Sequence, residues 1–257
     1  MSEPPWHGRW LRLVRALSVV HGEAGCGQLL EWLDRPAGPH VLAFANAHAL
    51  NLAARDAAFA RDLLVADTLL RDGVGVGLFM ALANRAPGLN LNGTDLIPRL
   101  LRRHAGASIA LLGTREPWLS RARAVVEGEW APGARCVVAH GFLPVNDYVR
   151  LVREHRPRLV VLAMGMPRQE AVARALRDAL RHPCLVVCGG AILDFLAGRT
   201  VRAPRPLRAA GLEWAWRLAC EPRRLFGRYV VGNPVFLARA LGCAWRDWRG
   251  AGGQVLH

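Results

Sequence analysis

The chain contains no lysine; all 34 of its basic residues are arginine. A phosphate-binding loop ending in lysine is thereby excluded. The glycine-rich stretch Asp72-Gly73-Val74-Gly75-Val76-Gly77 is neither that loop nor a GxGxxG dinucleotide fingerprint. The wholesale use of arginine and alanine follows base composition and carries little function by itself. No run of about 18 apolar residues occurs, so no membrane-spanning helix is expected. The opening MSEPPWHGRWLRLVRALSVVHG lacks a clean apolar core and a small-residue cleavage site, and is not read as a signal peptide. The six cysteines are scattered without a CxxC pair, which argues against a zinc site and for a reduced, cytoplasmic setting. GxSxG, HExxH and Walker patterns are missing, and no His/Asp/Glu spacing suits a metal, so neither metal nor cofactor is expected.

What is present bounds the fold. A length of 257 residues fits one large domain or a domain with an appendage, and a hydrophobic content of 52% is ample for a core. The net charge of +14 suits phosphate groups, nucleic acid or an anionic membrane surface.

The most informative stretch is Leu159 to Glu170, LVVLAMGMPRQE. Its apolar run does not alternate, as in a strand covered on both faces. Gly165 and Pro167 then punctuate the chain. Val172, Ala175, Leu176, Ala179 and Leu180 next share one face of a helix whose other face carries Arg174, Arg177, Asp178 and Arg181. Met164 to Glu170 therefore sits between the carboxyl end of a buried strand and a helix N-terminus, where open α/β sheets bind ligands and backbone N–H groups favour anions. An ordinary βα turn is the plain alternative.

Around it the pattern is regular. Strands expected at Ser108 to Leu112, Arg135 to Ala139, Arg158 to Ala163 and Cys184 to Cys188 alternate with helices near 117–128, 145–155 and 168–181. Such spacing suits βαβ units with right-handed crossovers. Gly113-Thr114-Arg115, His140-Gly141-Phe142, Gly165-Met166-Pro167 and Gly189-Gly190 end these strands, so in a parallel sheet they line one cleft. Upstream, a basic amphipathic helix leads to a strand near Ala16 to Val20. A helix from Glu23 to Leu33, a strand at Val41 to Phe44 and a single helical run through Leu50 to Ala57 follow. Leu63 to Val65 and Leu69-Leu70 read as short apolar pieces. Thr94 or Asp95 is the expected cap of a helix near Leu96 to Arg103, with Pro98 in its first turn. From residue 199 the alternation stops: residues 199–250 hold 11 arginines against 3 acids, with Trp214, Trp216, Trp245 and Trp248. The expected organisation is an α/β, Rossmann-like core over 1–198, its mostly parallel sheet covered by helices on both faces, and a basic helical appendage over 199–257.

Several residues could carry chemistry. Asp72, after an apolar stretch and beside glycine, could be a general base toward a hydroxyl, or only the acid of an Asp-Gly turn. Asn46 and His48 end a strand and could bind a polar substrate; Asn46 could equally cap the next helix, and His48 could be a base or an ordinary polar residue. Asp194 could read a nucleobase edge or sit in a helix first turn for its dipole. Arg217, Arg223, Arg224 and Arg228 could neutralise a departing diphosphate. A solvated basic face is their alternative, and the interleaved Trp and Leu favour a membrane surface over it.

An ordered set of segments resembles the WecG/TagA/CpsF glycosyltransferase family: NAHALNLA at 46–53, ADTLLRDGVGV at 66–76, LNGTDL at 91–96, LLGTRE at 111–116, HGF at 140–142, AMGMPRQE at 163–170, CGGAILDFLAGRTVRAP at 188–204 and GLEWAWRLACEPRRLFGRY at 211–229. The resemblance implies an inverting enzyme that moves a hexose-type sugar from a UDP-sugar to a polyprenyl-diphosphate-linked acceptor, without metal, at the inner face of the cytoplasmic membrane. It places the base on Asp72, a site glutamine on Gln169 and the functional tail arginines on Arg223 and Arg224, with Arg217 and Arg228 nearby. It adds Asn92, Thr94, Gly141, Phe142, Gly165 and Gly190 to Asn46, His48 and Asp194 as substrate contacts. The chain departs from the family pattern at Phe44, where threonine is frequent, and at Phe142, where tyrosine is.

The expected partners are thus a UDP-sugar, a lipid-linked acceptor and the membrane surface, not nucleic acid. The oligomeric state, a homo-oligomer included, stays open, as does the choice among exopolysaccharide, lipopolysaccharide and teichoic acid. A nicotinamide-dependent oxidoreductase and a basic nucleic-acid-binding protein are the rival readings.

Overall fold

The computed structural model describes residues 5–252, with side chains through Trp245. The Trp248 side chain and both chain ends, parts of the expected core and appendage, lie outside the described residues. In chain order the elements are α1 (Pro5–Arg15), α2 (Gly22–Leu33), β1 (Pro39–Ala45), α3 (Ala47–Arg55), α4 (Ala57–Leu64), β2 (Thr68–Arg71), α5 (Val74–Leu82) and α6 (Gly93–Arg103). They continue with β3 (Ser108–Gly113), α7 (Trp118–Val125), β4 (Arg135–Ala139), α8 (Val145–His155), β5 (Leu159–Ala163), α9 (Arg168–Ala179), β6 (Cys184–Cys188) and α10 (Ile192–Leu196). Four further helices close the chain: α11 (Arg205–Ala209), α12 (Glu213–Cys220), α13 (Pro222–Phe226) and α14 (Gly232–Gly252). A π-type turn, Gly227–Val231, joins α13 to α14.

The six strands form one sheet in the order β2-β1-β6-β5-β3-β4, every neighbouring pair parallel. The central strands are buried along their whole length, as their unbroken apolar runs predict. Side chains alternate between two cores. Val160, Leu162 and Val186 face Trp10, Leu50, Tyr148 and Leu176 on one side. Val161, Leu185 and Val187 face Leu30, Leu96, Ile97 and Leu119 on the other. Cys184 and Cys188 are buried free thiols.

The departures from expectation have local causes. Ala16 to Val20 forms no strand; only Leu17 bridges Leu69, with Ser18 N–H donating to the Leu69 carbonyl at 2.8 Å, because α1 delivers the chain to the short edge strand β2 for a single residue. The helical run near residue 50 is two helices. Asp56 turns extended and its carboxylate accepts from Ala58 and Phe59 N–H, so α4 starts there and takes in Leu63 and Leu64. The cap of α6 is Asn92, not Thr94 or Asp95: its Oδ1 accepts from Asp95 N–H at 2.9 Å and its Nδ2 donates to the Asp95 carboxylate at 2.8 Å. Pro98 accordingly lies inside the helix rather than in its first turn.

The chain after residue 199 is helical and packs against the sheet's helical layer. Phe236 of α14 is buried, with ring centroids 5.4 Å from Trp10 and 6.4 Å from Phe79. Asn51 Nδ2 donates to the Gly232 carbonyl at 2.7 Å and Arg239 donates to Asn51 Oδ1 at 2.9 Å. Arg202 pairs with Asp95 at 2.6 Å, which ties the segment before α11 to the start of α6.

Candidate active site

Because all strands are parallel, their carboxyl ends share one rim. Asp72 follows β2, Asn46 follows β1, Gly190 and Asp194 follow β6, and Gly165 and Gln169 follow β5. Thr114 and Gly141 continue the rim after β3 and β4. Asp72 and Gln169 are therefore on the same rim.

Asp72 is held where β2 ends. Its N–H donates to the Ala45 carbonyl at 2.9 Å, extending the strand pairing by one residue. Gly73, at φ +89°, then turns the chain into α5, a conformation open to glycine and strained for other residues. Gly73 N–H donates to Asn90 Oδ1 at 2.7 Å. Asn46 does two things at once: its Oδ1 accepts from Ala49 N–H at 3.0 Å, capping α3, and its Nδ2 donates to Asp72 Oδ2 at 3.1 Å. Capping α3 and holding the Asp72 carboxylate are thus one arrangement. Burial pushes the Asp72 carboxyl above its ordinary range, opposed by the Asn46 bond and by Arg228, Arg217 and Arg71. Arg71 spends its guanidinium on the carbonyls of Gly73, Pro87 and Gly88.

His48 lies in the same corner. Burial, then Arg228 and Arg55, lower it from 6.5 to about 4. It is a neutral imidazole near pH 7 and a weak base. Its folded value lies below its unfolded one, so the chain loses stability as pH falls from 6.5 through about 4. In thermal melts across that window, His48→Gln should flatten the acid loss; an unchanged slope would show that His48 does not cause it.

The tail arginines part into two groups. Arg217 and Arg228 are half-buried, and each keeps a buried Nε without an acceptor. Arg217 lies over the Phe195 ring at 5.4 Å, and Arg228 over Tyr229 at 5.5 Å. Burial pushes Arg228 below its ordinary value, which Tyr229 and Asp72 oppose. Arg223 is exposed, and exposed Arg224 is paired with Glu221 at 2.6 Å. The positive charge acting on Asp72 thus comes from Arg228 and Arg217 with Arg71, whereas the resemblance singled out Arg223 and Arg224.

At the other end of the rim, Asp194 Oδ1 accepts from Thr114 Oγ1 at 2.6 Å and pairs with Arg199 at 3.2 Å. It occupies the first turn of α10, as the dipole favours, and it borders Phe195 under Arg217. Gly141 N–H donates to the Thr114 carbonyl at 3.0 Å, and a Cβ there would lie 3.2 Å from Met164 Cβ. Phe142 beside it is exposed. The buried Tyr148 hydroxyl, donating to the His140 carbonyl at 2.8 Å and accepting from Leu143 N–H at 3.1 Å, pins this loop. Gly165 accepts from Gln169 N–H, and Gln169 is buried with both ends of its amide engaged within the protein. Asn92 is occupied as a cap, and Thr94 is half-buried in the first turn of α6. Phe44 is buried, with its ring against the position where a Cβ on Gly93 would stand, so this departure from the family pattern fills core rather than cleft.

Sequence reasoning placed Thr114 and Glu170 in cleft-lining turns without giving either side chain a role, and gave none to Asn90 or to Phe195, although Phe195 stands in the quoted segment at 188–204. Their contacts are with Asp194 for Thr114, with Gln169 for Glu170, with the Arg217 guanidinium for Phe195 and with Gly73 N–H for Asn90. Among the described residues, no group of three or more His, Cys, Asp or Glu side chains could hold a metal ion. A model of the glycosyl transferase WecG/TagA/CpsF family matches residues 14–250.

Proposed function

The chain belongs to the WecG/TagA/CpsF family of glycosyltransferases, enzymes of cell-surface polysaccharide synthesis, and from that premise we propose that it transfers a hexose-type sugar from a UDP-sugar to a polyprenyl-diphosphate-linked acceptor with inversion. One observation carries the reading: a carboxylate held by Asn46 lies in the field of two arginines whose buried Nε groups have no acceptor. Fixed guanidinium donors of that kind suit a diphosphate, and a carboxylate raised by burial suits proton removal from an alcohol.

In the proposed step the acceptor oxygen bonds to the anomeric carbon as that carbon's bond to the diphosphate oxygen breaks. Asp72 takes the acceptor hydroxyl proton. The electron pair of the broken bond leaves with UDP, whose growing charge meets Arg217, Arg228 and the rim's helix N-termini. Asp194, Thr114 and the exposed Phe142 are assigned to the uridine end, and Asn46 and His48 to the sugar and acceptor. A screen of UDP-sugars for UDP release, with and without a polyprenyl-diphosphate-linked sugar, tests the reaction. Release that ignores the lipid acceptor for every donor would end it.

A lipid-borne acceptor calls for a membrane-facing surface. Among the described residues no helix is long and apolar enough to cross a membrane. Exposed apolar side chains recur at helical spacing on two helices that pack together: Val74, Leu78 and Leu82 on α5, and Leu237, Leu241 and Trp245 on α14. Phe226 ends α13, and Val230 and Val231 follow in the turn before α14, on the same segment as exposed Arg223 and Arg224. Apolar side chains among arginines favour an anionic lipid surface. Arg223→Glu with Arg224→Glu, and separately Leu78→Glu, should each lower sedimentation with anionic vesicles by at least about threefold, given roughly 1 kcal/mol per basic residue near such a surface. Equal binding of all variants would remove this face from the account. The oxidoreductase and nucleic-acid readings lose their ground to the family assignment.

A further inference from the structure

Gln169 and Glu170 open α9 and are both buried, although each is strongly polar. Gln169 Nε2 donates to Glu170 Oε1 at 2.8 Å, while Gln169 Oε1 accepts from Gly190 N–H at 2.9 Å. An amide has a donor end and an acceptor end, so its neighbours decide which way it points. Ionised Glu170 only accepts, which turns the carbonyl end of Gln169 toward Gly190. Gly190, at φ +63°, begins the turn from β6 into α10 and so sets where Asp194 stands. The neighbouring Gly189 leaves little slack: a Cβ there would come within 2.6 Å of Ile192.

Glu170 is costly where it is. Its Oε2 is buried without a hydrogen-bond partner. Burial raises its carboxyl from 4.5 to about 7, with Asp62 of α4 adding to the rise and the Gln169 bond opposing it. The Cys188 thiol of β6, the other titratable group against it, is itself pushed up by burial and by Glu170. An apolar residue of similar shape would be more stable at this position, so the carboxyl's worth lies in what it orients.

We propose that Glu170 is a positioning residue for donor binding: by fixing the Gln169 amide it holds the Gly190 N–H, and through that turn it places Asp194 against the nucleotide. This rests on the UDP-sugar reading above. Neither Gln169 nor Glu170 needs to touch the substrate.

The test combines Glu170→Gln, Gln169→Ala and the double variant, with Gln169→Met in place of Gln169→Ala should truncation prevent folding. UDP affinity by calorimetry, donor KM and kcat, and thermal stability from pH 5 to 8 are measured. Glu170→Gln lets the Gln169 amide face either way, so at pH 8, where the Glu170 carboxyl is ionised, UDP affinity should fall, and donor KM rise, by about tenfold, the worth of one well-placed hydrogen bond, and the difference from wild type should shrink below pH 7. Turnover at saturating donor should stay within about twofold, because Asp72 is untouched. The double variant should bind UDP no worse than the Gln169 variant alone. Because the folded carboxyl titrates above the unfolded one, wild-type stability falls as pH rises through about 7, and Glu170→Gln should gain on wild type over that interval. Additive losses, or a fall in kcat with unchanged KM, would overturn the positioning role. Wild-type protein that binds no UDP would overturn the donor reading itself, whatever the stability measurements show about the pair.

Discussion

Asp72→Asn should fold normally, bind UDP-sugar within about twofold of wild type, and transfer sugar about 10²- to 10⁴-fold more slowly, the range of a general base. The three parts have separate grounds. Folding survives because the new amide's oxygen can still accept from Asn46 Nδ2, and because the native carboxyl is disfavoured by burial. Binding survives because the diphosphate is assigned to Arg217 and Arg228, which keep their places. Rate is lost because an amide cannot accept the proton of the incoming hydroxyl. The pH profile sharpens the point. A base must be ionised, and burial raises Asp72, so wild-type kcat should fall on the acid side at a pH above the ordinary aspartate range. That limb should vanish in Asp72→Asn. Full turnover by the variant, or the same limb in its residual activity, would assign the proton to another group.

The second large effect concerns the tail arginines, among which the resemblance points to Arg223 and Arg224 and burial points to Arg217 and Arg228. Arg228→Ala should lower kcat/KM by about 10²- to 10³-fold, the cost of one preorganised donor at a charge that develops in the transition state. Arg228→Lys should recover little, because an ammonium lacks the planar fork that matches phosphate oxygens. Arg217→Ala should behave alike and also lose the packing over Phe195. Arg223→Ala, by contrast, should leave transfer to a water-soluble acceptor analogue within about threefold, since an exposed charge acts weakly through water. Steady-state kinetics on the four variants decides the matter. If Arg223→Ala proved as damaging as Arg228→Ala with a soluble acceptor, the partition read from burial would be wrong.

Much of this was legible before any coordinates. The unbroken apolar runs of β5 and β6 announced a doubly covered parallel sheet, and parallel strands with punctuated ends imply one shared rim. Asp72 stood out because glycine beside an acid after a strand signals close approach. What stayed hidden depends on which neighbour a side chain meets. Nothing local tells that Asp56 breaks one helical run into α3 and α4, or that Ala16 to Val20 meets the sheet for a single residue. Asn92, Thr94 and Asp95 are all good caps, and only the structure shows Asn92 accepting from Asp95 N–H. Gln169 looked like a group presented to a ligand, because sequence does not reveal that Glu170 and Gly190 close over it. The resemblance ranked Arg223 and Arg224 first among the tail arginines; in space it is Arg217 of α12 and Arg228 of the turn before α14 whose charge acts on Asp72, far away in the chain.

A structure of the protein with bound UDP tests the central claim most directly. The account predicts the diphosphate within hydrogen-bond reach of Arg217 and Arg228, the uracil toward Thr114 and Asp194, and the terminal phosphate on the side of Asp72 where a sugar carbon would lie. A diphosphate bound at the opposite rim of the sheet, or uridine lying over Asp72 with the phosphates pointing away from it, would contradict it.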